Sequence, residues 1–261
     1  MGGFVIDGIR ISANAKTGNS INVNSCSPTK WCAQFCYRLK RSLEEIKAKG
    51  WESTPNNGPI TWDMQVASYV RNEERIRELH KAGTLKPTAI KIANRLKKRG
   101  VTHLRGNGTG DLFPGLVALY ALLAREGIKV YLFSRLARQI VALKMACDDL
   151  DVAPSMRPYV LGSTDRTTHP AVVYQLVLAT WAINGEPALA YATEKSGDEA
   201  NADIDNHPGR RHLKVVFGYH TNHKKTVVGN ELECPGTSGS PLKCAECKRC
   251  LGPELAMRKA A

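Results

Sequence analysis

The feature that most constrains this chain is a regular alternation of strand-like and helix-like segments through its middle. Residues 101–106 carry the period-two apolar pattern of a strand, and 112–126 the longer period of a helix that Gly127 stops. The same pair of signals recurs as strand 129–133 with helix 135–147, and strand 157–161 with helix 170–183. Strands 188–192 and 213–217 follow, and a short alternating stretch at 20–24 precedes the series. Helical periodicity also covers 37–49, 61–82 (Met64, Ala67, Val70, Ile76 and Leu79 on one side) and a segment from Pro87 to Arg99 that Gly100 ends. Alternating strands and helices imply a parallel sheet with helical crossovers. Six such units predict a partial (β/α)6 barrel, with an open doubly wound sheet as the alternative. Two stretches break the rhythm. Residues 50–59 are rich in Pro, Asn and Gly and predict a loop, and 195–211 predict a long polar insertion able to act as a lid. Residues 1–218 form the predicted barrel and 219–261 a cysteine-bearing tail.

With 261 residues, 43% of them hydrophobic, the chain can bury a full core. Its first residues show no basic segment followed by a long apolar run, and no stretch is apolar for the length of a bilayer. The expectation is a cytoplasmic protein with no membrane partner. A net charge of +13 attracts polyanions, which makes DNA or a nucleotide the expected partner. The basic groups are Arg38, Lys40 and Arg41; Lys91, Arg95, Lys97, Lys98 and Arg99; Lys224 and Lys225; and Lys243, Lys248 and Arg249. Dispersed solubilising charge is the plainer explanation.

Eight cysteines in a cytosolic chain stay reduced, and clustered ones point to metal. Cys147 stands alone in an apolar helical pattern and reads as a buried core residue. Cys26, Cys32 and Cys36 lie within eleven residues, on a loop between a predicted strand and a predicted helix. Three thiolates on a four-iron cube leave one iron open to a small molecule. Trp31, Phe35 and Tyr37 would shield such a cluster. Cys244, Cys247 and Cys250, with the Cys234–Pro235 pair upstream, have the spacing of a ferredoxin-type cluster. Structural zinc is the alternative at both places.

The third feature is a Gly-rich turn directly after strand 101–106, containing Asn107, Gly108, Gly110 and Asp111. Backbone amides of such a turn can approach a ligand closely. It matches neither the P-loop nor the dinucleotide fingerprint. Asp111 is a candidate helix N-cap or a holder of a cofactor's ammonium or ribose. Ser134 with Arg135, Ser163 with Asp165, Thr193 with Glu194, and Tyr219 with His220 also fall at predicted strand ends. Capping and turn roles suit each singly, whereas a ring of them at one barrel mouth would make a pocket. His220 and His223 are metal candidates, or solvated loop residues.

Taken together, the run from Asn14 to Gly18, Cys32 through Tyr37, Gly110-Asp111, Ser163 through Asp165 and the tail cysteines resemble the phage "gene product 88" family, over roughly 11–251. The cysteine loop is also similar to that of phage proteins related to radical S-adenosylmethionine enzymes. The resemblance implies a barrel of the radical S-adenosylmethionine type, two 4Fe–4S clusters, and S-adenosylmethionine as cofactor near Asn107, Gly108, Gly110, Asp111, Ser134, Ser163 and Asp165. It implies reductive cleavage to a 5′-deoxyadenosyl radical that takes a hydrogen from substrate, an electron donor of flavodoxin or ferredoxin type, and work in the host cytoplasm. Phage origin and charge together point to isomerising or otherwise modifying a hypermodified thymine in DNA. A non-catalytic nucleic-acid binder with structural zinc is the competing expectation.

Overall fold

A computed structural model describes residues 2–14, 18–26, 53–54, 58–59, 62–107, 110–218, 228 and 231–234. The chain opens with a hairpin, β1 (Phe4–Ile6) and β2 (Ile9–Asn14), turned by Asp7 and Gly8. Both turn residues have positive φ, 47° and 86°, the type I′ geometry that Asp-Gly favours. β3 (Gly18–Ile21) pairs antiparallel with β2. A two-residue ribbon, β4 (Ser53–Thr54) with β5 (Gly58–Pro59), lies inside the stretch expected to be loop.

The alternating series follows: α1 (Trp62–Lys81), α2 (Leu85–Lys97), β6 (His103–Gly106), α3 (Pro114–Arg125), β7 (Lys129–Ser134), α4 (Ala137–Asp149), β8 (Tyr159–Asp165), α5 (Pro170–Asn184), β9 (Leu189–Thr193), α6 (Gly197–Asp205) and β10 (Leu213–Gly218). These strands make one eight-stranded sheet in the order β1-β2-β3-β6-β7-β8-β9-β10. From β3 to β10 every pairing is parallel. Strand order follows chain order with no reversal, so the sheet lacks the switch point of a doubly wound fold. The fold is mixed α/β, a multi-stranded sheet flanked by helices.

Right-handed crossovers between strands laid down in sequence place every helix on the same side. Burial bears this out. Leu104, Val130, Leu132, Val160, Leu189, Leu213 and Val216 share one core cluster with Ile76, Ile92, Leu116, Ile140, Leu176 and Ile204 of the helices. The alternate strand positions Tyr159, Leu161, Ala190 and Val215 form a second, smaller cluster with Ala188, and no described helix contributes to it. Phe133 of β7 and Phe217 of β10 meet edge to face on that second side, with ring centroids 5.4 Å apart. Three strand spacings, about 14 Å in a flat sheet, separate those two strands. The side without described helices is therefore concave.

Asn72 of α1 ties the first strands to the helix layer. Its side chain accepts from Arg10 N and donates to the carbonyls of Arg10 and Asn22. It thereby imitates a strand backbone and fixes where the chain leaves β3. One expectation changes. The 195–211 stretch is not an extended lid, because it forms α6, whose Ala200 and Ile204 are buried in the main core. Apolar residues there are sparse, yet they fall four apart on one helix face. Cys147 is fully buried as expected, and burial pushes its thiol up to about 11.

Gly162 sits where β8 meets α5 and β9. A Cβ there would lie 2.8 Å from Leu189 Cδ2 and 2.9 Å from Leu176 Cβ. Gly162→Ala is expected to lose about 1–3 kcal/mol through overpacking. A thermal melt that shows no fall in Tm would contradict this packing.

Candidate functional site

The carboxyl ends of four consecutive parallel strands are joined by one chain of polar contacts. After β3 the chain passes through Asn22, Val23, Asn24 and Ser25 to Cys26, which is exposed and whose N–H donates to Asn24 O at 2.7 Å. The turn after β6 docks against this segment. Asp111 N donates to Ser25 O at 2.8 Å, and Ser25 Oγ donates to Asp111 O at 2.6 Å. Gly110 makes the approach possible. Its φ is +89°, and a Cβ would fall 2.6 Å from Val23 Cγ2 and 2.8 Å from Val23 O. The Gly-rich turn thus serves close packing onto the cysteine-bearing strand exit.

Asp111 is buried and does not cap α3, whose N-cap position is Phe113. Its Oδ1 instead accepts from Arg135 N at 3.0 Å, past the end of β7. The Arg135 guanidinium reaches Asp165 Oδ2, at the end of β8, at 2.7 Å. Side-chain exposure is 13% for Arg135 and 0% for Asp165, so this is a buried pair. Asp165 Oδ1 accepts from Thr167 N and Thr167 Oγ1 at 2.9 and 2.7 Å. Both carboxylate oxygens are therefore engaged, as a buried charge requires.

Asn107, directly after β6, is 4% exposed and held at φ 51°, in the left-handed region. Its Oδ1 accepts from the Tyr120 hydroxyl at 2.8 Å, and its N–H donates to that hydroxyl at 3.1 Å. Its Nδ2 is buried with no partner among the described residues. Gly106 lets the Tyr120 ring come this close, since a Cβ would sit 3.0 Å from it. Natural structures satisfy nearly every buried donor, so this amide is a candidate contact for a group beyond the described residues.

Ser134 faces the helix layer, opposite Phe133, and its hydroxyl accepts from Leu136 N at 3.2 Å, ahead of α4. It stabilises a helix start. Ser163 is half-buried on the concave side, in register with Ala190. Thr193 Oγ1 accepts from Lys195 N, and Glu194 pairs with Arg166 at 2.9 Å. Gly108, Cys32, Cys36, Tyr219, His220, His223, Cys244, Cys247 and Cys250 lie outside the described residues. Among the described residues no group of three or more His, Cys, Asp or Glu forms a metal site, and no helix is long and apolar enough to cross a membrane.

Cys234 is the described member of the tail set. Its N–H donates to Val216 O at 2.7 Å, and Val216 N donates to Leu232 O at 2.8 Å. Glu233 bridges Val216 in parallel, so this short piece of tail extends the sheet beyond β10. Cys234 packs on the concave apolar cluster beside Phe217. The sequence reading missed this docking, and it missed Arg105 and the Phe133–Phe217 pair. The alternation of His103, Leu104 and Arg105 was the available signal for Arg105: if Leu104 faces the core, a charge faces the other side.

Comparison with family models, curated proteins and solved structures finds no match for this chain.

Removing the cation from the Arg135–Asp165 pair leaves a buried carboxylate uncompensated. Arg135→Met is expected to cost about 3–5 kcal/mol. Adding Asp165→Asn should recover part of the loss, because a neutral amide oxygen can still accept from Thr167. Urea titration of the two variants checks this. Equal losses would show that the pair holds no buried charge.

Proposed function

We propose that this protein is an iron–sulfur enzyme of the radical S-adenosylmethionine type that modifies or isomerises a base of DNA. The observation that carries the reading is the placement of the first cysteine. Cys26 leaves the carboxyl end of the first of six parallel strands laid down in chain order, and its strand exit is bonded to the Gly-rich turn after the second. Catalytic groups of sequentially wound α/β folds gather at that end. The concave side without described helices and the linear strand order suit a partial (β/α)6 barrel.

The residues present fit a bound cofactor. Asn107 Nδ2 is an orphaned donor at the same end of the sheet, and Gly110 admits a close backbone approach. Cys26, Cys32 and Cys36 would hold a cluster that, with S-adenosylmethionine bound, would supply one-electron cleavage and abstraction of a substrate hydrogen atom. The chain's own part is to orient and to exclude water. The Asp111–Arg135–Asp165 contacts fix the rim, and Asn107 offers an amide donor to a cofactor acceptor such as a carboxylate or ribose oxygen. Cys234 would share the tail cluster with Cys244, Cys247 and Cys250, next to β10. Electrons would come from a flavodoxin- or ferredoxin-type protein. The +13 charge and the phage resemblance support DNA as the target, with the reacting base drawn out of the stack.

Anaerobically reconstituted protein is expected to be brown, with about eight irons and eight sulfides if both sites hold four-iron cubes. Cys26→Ala should remove one cluster and Cys234→Ala should disturb the other. Stoichiometric zinc without sulfide would overturn the reading in favour of a structural nucleic-acid binder. With both clusters intact, dithionite-reduced protein should convert S-adenosylmethionine to 5′-deoxyadenosine, and Cys26→Ala protein should not. Failure of this conversion in the intact protein would reject the cofactor.

A further inference from the structure

The concave side carries an arginine that has no ion pair among the described residues. Arg105 stands on β6 between Leu104 and Gly106, and Leu104 belongs to the helix-side core, so Arg105 points the other way. In the sheet it lies in register with Ser20 on β3 and Tyr131 on β7. Its guanidinium carbon is 5.8 Å from the centroid of the Phe133 ring, which in turn meets Phe217. Its Nε is shielded from solvent and has no hydrogen-bond partner among the described residues.

Two carboxylates of the later strands are engaged elsewhere. Asp165 is held by Arg135 and Thr167, and Glu186 by Lys214 and Tyr159. His103, two residues earlier on the same side, has its imidazole held below its ordinary value by burial, so it is neutral at neutral pH. Arg135 is compensated by Asp165. An arginine stays charged at any working pH. A shielded guanidinium N–H left unbonded is costly, so this position suits an acceptor that the described residues do not supply. The fork of a guanidinium suits the paired oxygens of a phosphate or carboxylate, and the rings beside it offer faces to a planar group. A nucleotide presents both, and bases stack on aromatic rings without regard to sequence.

We propose that Arg105 holds the phosphate of a nucleotide unit whose base lies against Phe133 and Phe217 on the concave side of the sheet. This deepens the base-modification reading by naming the part of the substrate that this side grips. The unit is either a free mononucleotide or one residue of a single strand, since both offer the same phosphate and base. Selectivity then rests on phosphate rather than on base identity.

The test is equilibrium binding to the reconstituted full chain, without reductant, so that it reads no turnover. Thymidine monophosphate, thymidine and a short oligothymidylate are titrated against wild type, Arg105→Gln and Arg105→Lys. Wild type should bind the monophosphate at least about tenfold tighter than thymidine, and Arg105→Gln should abolish that difference. Arg105→Lys should keep part of it, because it retains the charge and loses the fork. Thymidine itself should bind all three proteins alike. A tighter oligomer that is equally sensitive to Arg105→Gln identifies a strand as the source of the phosphate, whereas a tighter monophosphate identifies the free nucleotide. If Arg105→Gln fails to fold, the wild-type preference and the Arg105→Lys loss decide. No phosphate preference in wild type, or a preference undiminished in folded Arg105→Gln or, where that variant does not fold, in Arg105→Lys, overturns the proposal. Either result leaves the formation of 5′-deoxyadenosine untouched.

Discussion

The buried ion pair between Arg135 and Asp165 is the contact on which the rim of the sheet depends. A carboxylate with no solvent exposure is stable only if paired and fully hydrogen-bonded. Asp165 meets that condition through Arg135 on one oxygen and the Thr167 turn on the other. Arg135 in turn presents its backbone N–H to Asp111, and Asp111 is tied through its backbone to Ser25. One electrostatic requirement at β8 thereby sets the positions of the segments leaving β7, β6 and β3. Cys26 is the residue after Ser25, so the first cysteine is aimed by a charge three strands away.

This arrangement explains why the fold was more legible in the sequence than the site. All six parallel strands were readable, because a strand buried in a sheet with helices on one side needs apolar residues at alternate positions: Leu104, Val130 with Leu132, Leu189 with Tyr191. Helix stops at Gly100 and Gly127 were readable for the same local reason, since both have positive φ. The opening hairpin went unread although Asp7-Gly8 between two apolar runs is a strong turn signal. Its strands are short, and the alternation after residue 100 dominates the pattern. Helix α6 was hidden by its polarity, with Ala200 and Ile204 as its only fully buried anchors among Gly197–Asp205.

The site residues divide along a similar line. Asp111 lies at a strand end, and a strand-end aspartate looks the same in sequence whether it caps a helix or receives a distant amide. Ser134 was chosen as a pocket residue and serves a helix start, because the alternation turns it away from the concave side. Arg135 and Asp165 were both noticed at strand ends, yet their pairing is a tertiary fact 30 residues apart in the chain. Cys234 looked like part of a separate tail, whereas hydrogen bonds to Val216 attach it to the last strand. Nothing in the local sequence announces parallel pairing with a strand already complete.

The two sides of the sheet therefore carry different burdens. The helix side gathers most of the large apolar residues in one cluster and secures the architecture. The concave side holds a smaller apolar group, of which Phe133 and Phe217 are only half-buried, together with an arginine that has no ion pair among the described residues. A sheet selected for stability alone would place leucine or valine at position 105, since an apolar side chain there would bury surface with no donor left unmade. Keeping a guanidinium in that place lowers stability unless something else meets it. The orphaned amide of Asn107 is two residues further along the same strand and its exit. Both donors without a partner among the described residues thus belong to β6 and its exit, one on the concave wall and one at the carboxyl end, while the helices behind hold that wall in place.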